Sequence, residues 1–186
     1  MPYTRDRLLA DTSLEDADRR ARVNLILHGG EPMLRSSRYY RAFDKLVDQQ
    51  LGALRRRLSI AMQSNLTLLT PAKARVLKNL LTRPIGTSYD IYPEVRGIKG
   101  SRTLDERWYE AMKVTHQADI DTGVVYVVHN RTVANTERVW HFFRNHPYVD
   151  TVRFNPLYQE GLGKCGDAQQ LGITAEQWGE FLIRGW

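Results

Sequence analysis

Val23-Asn24-Leu25-Ile26-Leu27-His28-Gly29-Gly30-Glu31-Pro32 is the stretch on which the fold turns. The apolar run from Val23 to His28 has the length of a buried strand. Two glycines then let the backbone turn sharply and approach a ligand with no Cβ in the way, and Pro32 stiffens the exit. The carbonyls of such a turn, and the Glu31 carboxylate, are able to accept hydrogen bonds from a ligand ammonium. By pattern alone, the same four residues are equally an ordinary tight turn.

Working outward, four more short apolar runs read as strands: Leu58 to Gln63, Ile85 to Tyr89, Gly123 to His129 and Thr151 to Asn155. None alternates cleanly, so parallel strands covered on both faces are expected. Helical patterns fill the gaps. Tyr40, Phe43, Val47, Leu51 and Leu54 form one stripe after a Ser36-Ser37 cap. Thr70-Pro71 pairs a cap with proline at the first helical position. Thr103 with Glu106 and Thr174 with Gln177 have capping-box spacing, and Thr132 is placed to start a helix that stops before Pro147. Strand and helix alternate, which predicts right-handed βαβ units on a parallel sheet, either a barrel or an open doubly wound sheet. Both architectures bind ligands at the carboxyl ends of the strands.

Those ends are polar. They carry the Gly29 to Pro32 turn, Gln63-Ser64-Asn65, Thr87-Ser88-Tyr89-Asp90 with Arg96 downstream, His129-Asn130 and Asn155-Pro156. A hydroxyl beside a guanidinium suits a carboxylate. Each end by itself is also what a capped loop or a structural histidine looks like. No P-loop, nucleophile elbow or His-Glu-x-x-His motif is present, and the five histidines lack metal-ligand spacing. The residues by themselves define an α/β domain that binds a polar small molecule.

Composition narrows the class. The 186 residues contain 27 Lys and Arg against 21 Asp and Glu, giving a net charge of +6. That balance hints at an acidic or nucleic-acid partner. The charges are scattered, however, and the run Arg55-Arg56-Arg57 closes a predicted helix, where cations suit the dipole. No apolar run approaches the ~20 residues that span a bilayer. The first residues are too polar for a secretory signal. Cys165 is the single cysteine, so no intrachain disulfide forms, in keeping with a cytoplasmic location.

In order and spacing, the strand ends resemble the radical S-adenosylmethionine superfamily. They are most similar to the peptide- and protein-modifying branch that includes the anaerobic sulfatase-maturating enzymes. The residues that carry the resemblance are Gly29-Gly30-Glu31-Pro32, Ser64-Asn65-Leu66-Thr67-Leu68-Leu69-Thr70, Ser88-Tyr89-Asp90 with Arg96, and Pro156 followed by Gly161 and Gly163. The resemblance implies a partial (β/α)6 barrel over residues 22–170, an N-terminal helical remnant over 1–21 and the start of a C-terminal extension over 171–186. It implies that Gly29, Gly30, Glu31 and Pro32 receive the methionyl ammonium of S-adenosylmethionine, that Ser88 with Arg96 holds its carboxylate, and that Asn65 lies near the cofactor. In the family, a [4Fe-4S] cluster reduces the sulfonium and the resulting radical takes hydrogen from a peptide or protein substrate.

Two departures accompany it. The family's Cys-x3-Cys-x2-Cys cluster motif is absent, and Ile91 stands where the family has Gly after Ser-x-Asp. The expectation is therefore a barrel lacking its first strand and cluster loop, truncated at both ends and inactive alone, with no metal ligands and no catalytic residue identifiable. Such a barrel is expected to be marginally stable or to pair with a chain that supplies the missing part. The competing expectation is a non-catalytic binding module whose basic surface docks an acidic partner or nucleic acid. A membrane partner is not expected.

Overall fold

The computed structural model describes residues 23–92, 102–157 and 168–185. Arg96, Gly161, Gly163, Cys165 and the segment 1–21 lie outside the described residues. The described elements are β1 (Val23–Leu27), α1 (Ser37–Leu51), β2 (Leu58–Gln63), α2 (Pro71–Leu80), β3 (Ile85–Ser88), α3 (Arg102–Gln117), β4 (Thr122–Val128), α4 (Asn130–Ala134), α5 (Thr136–Asn145), β5 (Thr151–Pro156), α6 (Ala168–Leu171) and α7 (Ala175–Gly185). Short 3-10 turns occupy Pro32–Leu34 and Gly52–Arg57.

All five strands are parallel, in the order β1-β2-β3-β4-β5. That order decides between the two architectures. Right-handed crossovers between sequential neighbours put every helix on the same face, whereas a doubly wound sheet reverses its order at a switch point. The sheet is therefore wound in one direction, as in a partial barrel.

Burial corrects the expectation of two covered faces. On the helix side, Ile60, Met62, Ile85, Val124, Tyr126 and Val128 are sealed into the core. On the other side, Ile26 is 60% exposed and Val127 39%, in strands whose burial alternates residue by residue. The sheet thus has one packed face and one open face.

Local chemistry explains most helix starts. The Ser36 hydroxyl accepts from Tyr39 N at 3.3 Å, and Thr70 Oγ1 accepts from Lys73 N at 3.3 Å ahead of Pro71. Thr174 and Gln177 form the reciprocal capping box, at 2.9 and 3.3 Å. The arginine run lies past the end of α1 in the Gly52–Arg57 turn, where Arg55 reaches back to Asp44 at 2.8 Å and Asp48 at 3.2 Å. The single helix expected from Thr132 is instead two, broken at Asn135 (φ −132°, ψ 40°). Thr132 is buried inside α4, and its hydroxyl pairs with Tyr126 Oη at 3.1 Å instead of capping. Helix α7 packs on α5: Phe181 is fully buried, and its carbonyl accepts from Trp140 Nε1 at 3.3 Å.

Candidate functional site

Positive φ shapes the turn after β1. Gly29 and Gly30 both sit at positive φ, +99° and +53°, where a side chain would strain the backbone. No atom lies within 4 Å of where a Cβ would stand on either, so the turn faces open space. Among the described residues, no hydrogen bond reaches the carbonyl oxygen of Gly29 or Gly30.

Glu31 has a different task. Its Oε1 accepts from Met33 N at 2.8 Å and from Ser64 Oγ at 2.5 Å, and its Oε2 accepts from Asn65 N at 2.9 Å. The carboxylate thereby caps the Pro32–Leu34 turn and ties the end of β1 to the end of β2. The outer side of the turn is braced as well. Buried Tyr40 donates to Pro32 O at 2.6 Å, and Lys73 Nζ donates to Met33 O at 2.6 Å and Leu68 O at 3.1 Å. Burial first, then the neighbouring Tyr39 and Glu31, raise the Tyr40 phenol above its ordinary value, which keeps it a donor.

Asn65 is exposed, and its side chain is turned onto its own loop. Its Oδ1 accepts from Thr67 N at 3.0 Å and Thr67 Oγ1 at 2.8 Å. Next to it, Leu66 is fully buried at φ +61°. The Ser64 oxygen supports that conformation by accepting from Leu66 N at 3.0 Å.

Further along the rim, Ser88 ends β3 exposed on the open face. Thr87 points the other way and accepts from Trp108 Nε1 at 3.3 Å. Asp90 is buried, with Oδ1 accepting from Tyr92 N at 2.9 Å. Its Oδ2 lies 3.7 Å from Nε2 of His129, which is 1% exposed and makes no hydrogen bond through either ring nitrogen. The histidine is thus a buried neighbour of the rim. Asn130 donates from its amide to Gln170 O, which anchors α6 to the end of β4.

The structure therefore brings Gly29, Gly30, Glu31, Pro32 and Asn65 into one bonded unit and leaves Ser88 separate on the same rim. Tyr40, Ser64 and Lys73 are the residues that sequence reasoning did not assign to the turn. They stand 8 to 40 positions from their partners in the turn, beyond any local motif. Among the described residues, no three His, Cys, Asp or Glu side chains group to hold a metal ion. No helix among them is long and apolar enough to cross a membrane.

No family model matches the chain. The serine-type anaerobic sulfatase-maturating enzyme of Klebsiella pneumoniae is 23% identical over 176 residues, across 88% of this chain and 41% of its own. An uncharacterised protein of Methanothermobacter thermautotrophicus is 24% identical over 156 residues, across 84% of this chain and 57% of its own. The fold is similar to that of histidine-tagged anSMEcpe with bound AdoMet, with a TM-score of 0.69 at 17% identity, covering 89% of this chain and 43% of that one. It is also similar to native anSMEcpe with bound AdoMet and the Cp18Cys peptide, with a TM-score of 0.67 at 16% identity, covering 97% and 48%. The chain spans about half the length of the relatives it matches. In sequence and in fold, the chain is similar to the anaerobic sulfatase-maturating enzymes.

Proposed function

We propose that the chain is the S-adenosylmethionine-binding part of a peptide-modifying radical enzyme. The observation that carries this reading is the braced Gly29–Gly30 turn, whose carbonyls meet no donor among the described residues, at the carboxyl edge of a partial barrel similar to AdoMet-bound structures. The turn would take the methionyl ammonium, Glu31 would hold the turn in shape, and Asn65 would lie beside the bound cofactor. Ser88 would take the carboxylate, together with Arg96. The open sheet face would receive the peptide. When bound, S-adenosylmethionine supplies the alkyl sulfonium whose cleavage drives hydrogen abstraction in this branch.

An iron–sulfur cluster does not fit these residues. The 186 residues contain one cysteine, and a cluster needs several thiolates. Turnover through a cluster would need ligands from outside these residues.

The test is calorimetric titration of S-adenosylmethionine into the chain. The expected result is saturable binding that Ser88→Ala weakens about tenfold, as the loss of one hydrogen bond to a charged group predicts. Absence of binding, or binding indifferent to Ser88 and to Gly30→Val, would sink the reading.

A further inference from the structure

Three observations converge on Arg153. The first is register. Ser88 pairs with Val125, and Val125 pairs with Arg153, so the three form one row across β3, β4 and β5. With Ser88 exposed and strand side chains alternating, the row lies on the open face. At one strand spacing of about 4.8 Å, Ser88 and Arg153 stand about 10 Å apart, within the span of an arginine side chain and a bound group.

The second is space. The next row toward the strand starts is Gln63, Gly86, Gly123 and Thr151. Its two central positions have no side chain. A Cβ on Gly86 would stand 2.0 Å from Gln63 Oε1, and one on Gly123 would stand 3.0 Å from Thr151 Oγ1. The neighbours have already closed over the glycines, which keeps the floor low. What remains is a hollow of about 480 Å³, lined in part by Ile26, Gln63, Val125 and Arg153. That volume suits a ligand the size of a few peptide residues.

The third is charge. The other side chains of these two rows are uncharged. Arg153 is exposed, and among the described residues it has neither an ion pair nor a hydrogen bond. Arg55, by contrast, is engaged by Asp44 and Asp48. An unengaged guanidinium on the wall of a neutral hollow offers a planar pair of donors that match a carboxylate.

We propose that Arg153 is a specificity-determining residue that receives an acidic side chain of the peptide substrate, beside the residue to be modified. The proposal rests on reading the open face as the peptide site, and it adds the class of peptide: acidic at a neighbouring position.

The test measures binding of two short cysteine-containing peptides to the full chain without S-adenosylmethionine. The peptides differ only in Asp against Asn next to the cysteine. The wild type is expected to prefer the Asp peptide about tenfold, the worth of one charge-assisted contact. Raising the salt concentration should shrink the preference. Arg153→Gln should abolish it, and Arg153→Glu should turn it toward a Lys peptide. Arg153 is exposed, so both variants should melt as the wild type does. Equal affinity for the two peptides, no binding of either, or a preference that survives Arg153→Gln overturns the proposal. So does a variant that keeps the preference but loses S-adenosylmethionine affinity, because the arginine then serves the methionyl carboxylate. A chain that shows the Asp preference yet binds no S-adenosylmethionine would keep this inference and defeat the cofactor reading.

Discussion

At the β1–β2 end the fold is held by directional bonds, and under β3–β5 it is held by rings. The Glu31 carboxylate takes three protein donors, and Pro32 and Met33 give their carbonyls to Tyr40 and Lys73. On the other side, Trp108 stacks on Tyr89 at 4.0 Å, Phe142 stacks on Tyr89 at 5.4 Å, and His146 meets Trp108 at 5.3 Å. Among the described residues, two imidazoles in that half bury nitrogens with no hydrogen-bond partner: both of His129 and Nε2 of His146. Hydrogen bonds fix positions as well as distances, whereas ring packing fixes volume more than orientation. The difference teaches that the turn proposed to bind the ammonium is fixed by the chain's own hydrogen bonds. The half bearing Ser88 and Arg153 rests on a core of packed rings.

The sharpest way to break this contrast is Trp108→Ala. It removes the stack on Tyr89 and the donor to Thr87, and a truncated buried tryptophan costs about 3–5 kcal/mol. Urea unfolding should show a loss of that size. A loss below about 1 kcal/mol would mean that rings do not hold this half. On the other side, Glu31→Ala strips the acceptor from Met33 N, Asn65 N and Ser64 Oγ. Hydrogen bonds to a charged group contribute about 1.5–3 kcal/mol each, but Asn65 is exposed and water can replace part of the loss, so about 2–3 kcal/mol is expected in total. Glu31→Gln should cost roughly half as much, since the amide keeps one acceptor while its NH2 faces a donor. If Glu31→Ala melts like the wild type, the carboxylate is no strut.

The helix starts at Ser36, Thr70 and Thr174 were legible because each depends on residues three positions apart. The strands were legible as short apolar runs, and β2 begins and ends where its run does. The break at Asn135 was not legible, because the Thr132 hydroxyl that local spacing offers as a cap is taken by Tyr126 in the core. Nor was the open face: Ile26 and Val127 are as apolar as their buried neighbours, and only the one-directional winding of the crossovers leaves them exposed. The Gly29–Gly30 turn was visible as chemistry, but its braces were not. The Glu31 carboxylate also binds Ser64, 33 positions away, a contact no local motif announces. Arg153 lay inside a predicted strand and carried no signal until register set it beside Ser88.

The ring-packed half also predicts a pH response. Burial lowers the His146 imidazole below its ordinary 6.5, and Nδ1 accepts from Tyr148 N at 3.2 Å, which requires that nitrogen to be unprotonated. Because the folded state disfavours the proton, the unfolded chain binds more of it. Stability is therefore full above about 6.5 and falls as pH drops below that value toward the lower folded pKa. The slope from one group cannot exceed about 1.4 kcal/mol per pH unit. His146→Phe, which fills the space without an unpartnered nitrogen, should flatten that acid limb in melts between pH 7 and pH 5. An unchanged limb would assign it to other groups.

The smallest expected effect separates preorganisation from stability. Gly30 at φ +53° and Gly52 at φ +48° share a positive φ, and neither has an atom within 4 Å of its absent Cβ. An alanine at either site meets strain but no clash, so each variant should lose about 1 kcal/mol in unfolding. Gly52 closes α1, in a segment that carries no proposed cofactor contact, whereas Gly30 belongs to the turn proposed to take the ammonium. Gly30→Ala should therefore weaken S-adenosylmethionine binding several-fold while Gly52→Ala leaves it unchanged, although the two melt alike. Equal effects on binding would mean that affinity merely follows stability, and the rigidity of the β1–β2 end would then have no bearing on the ligand. A binding loss confined to Gly30→Ala would tie that rigidity to recognition, because both variants meet strain at positive φ and the place differs.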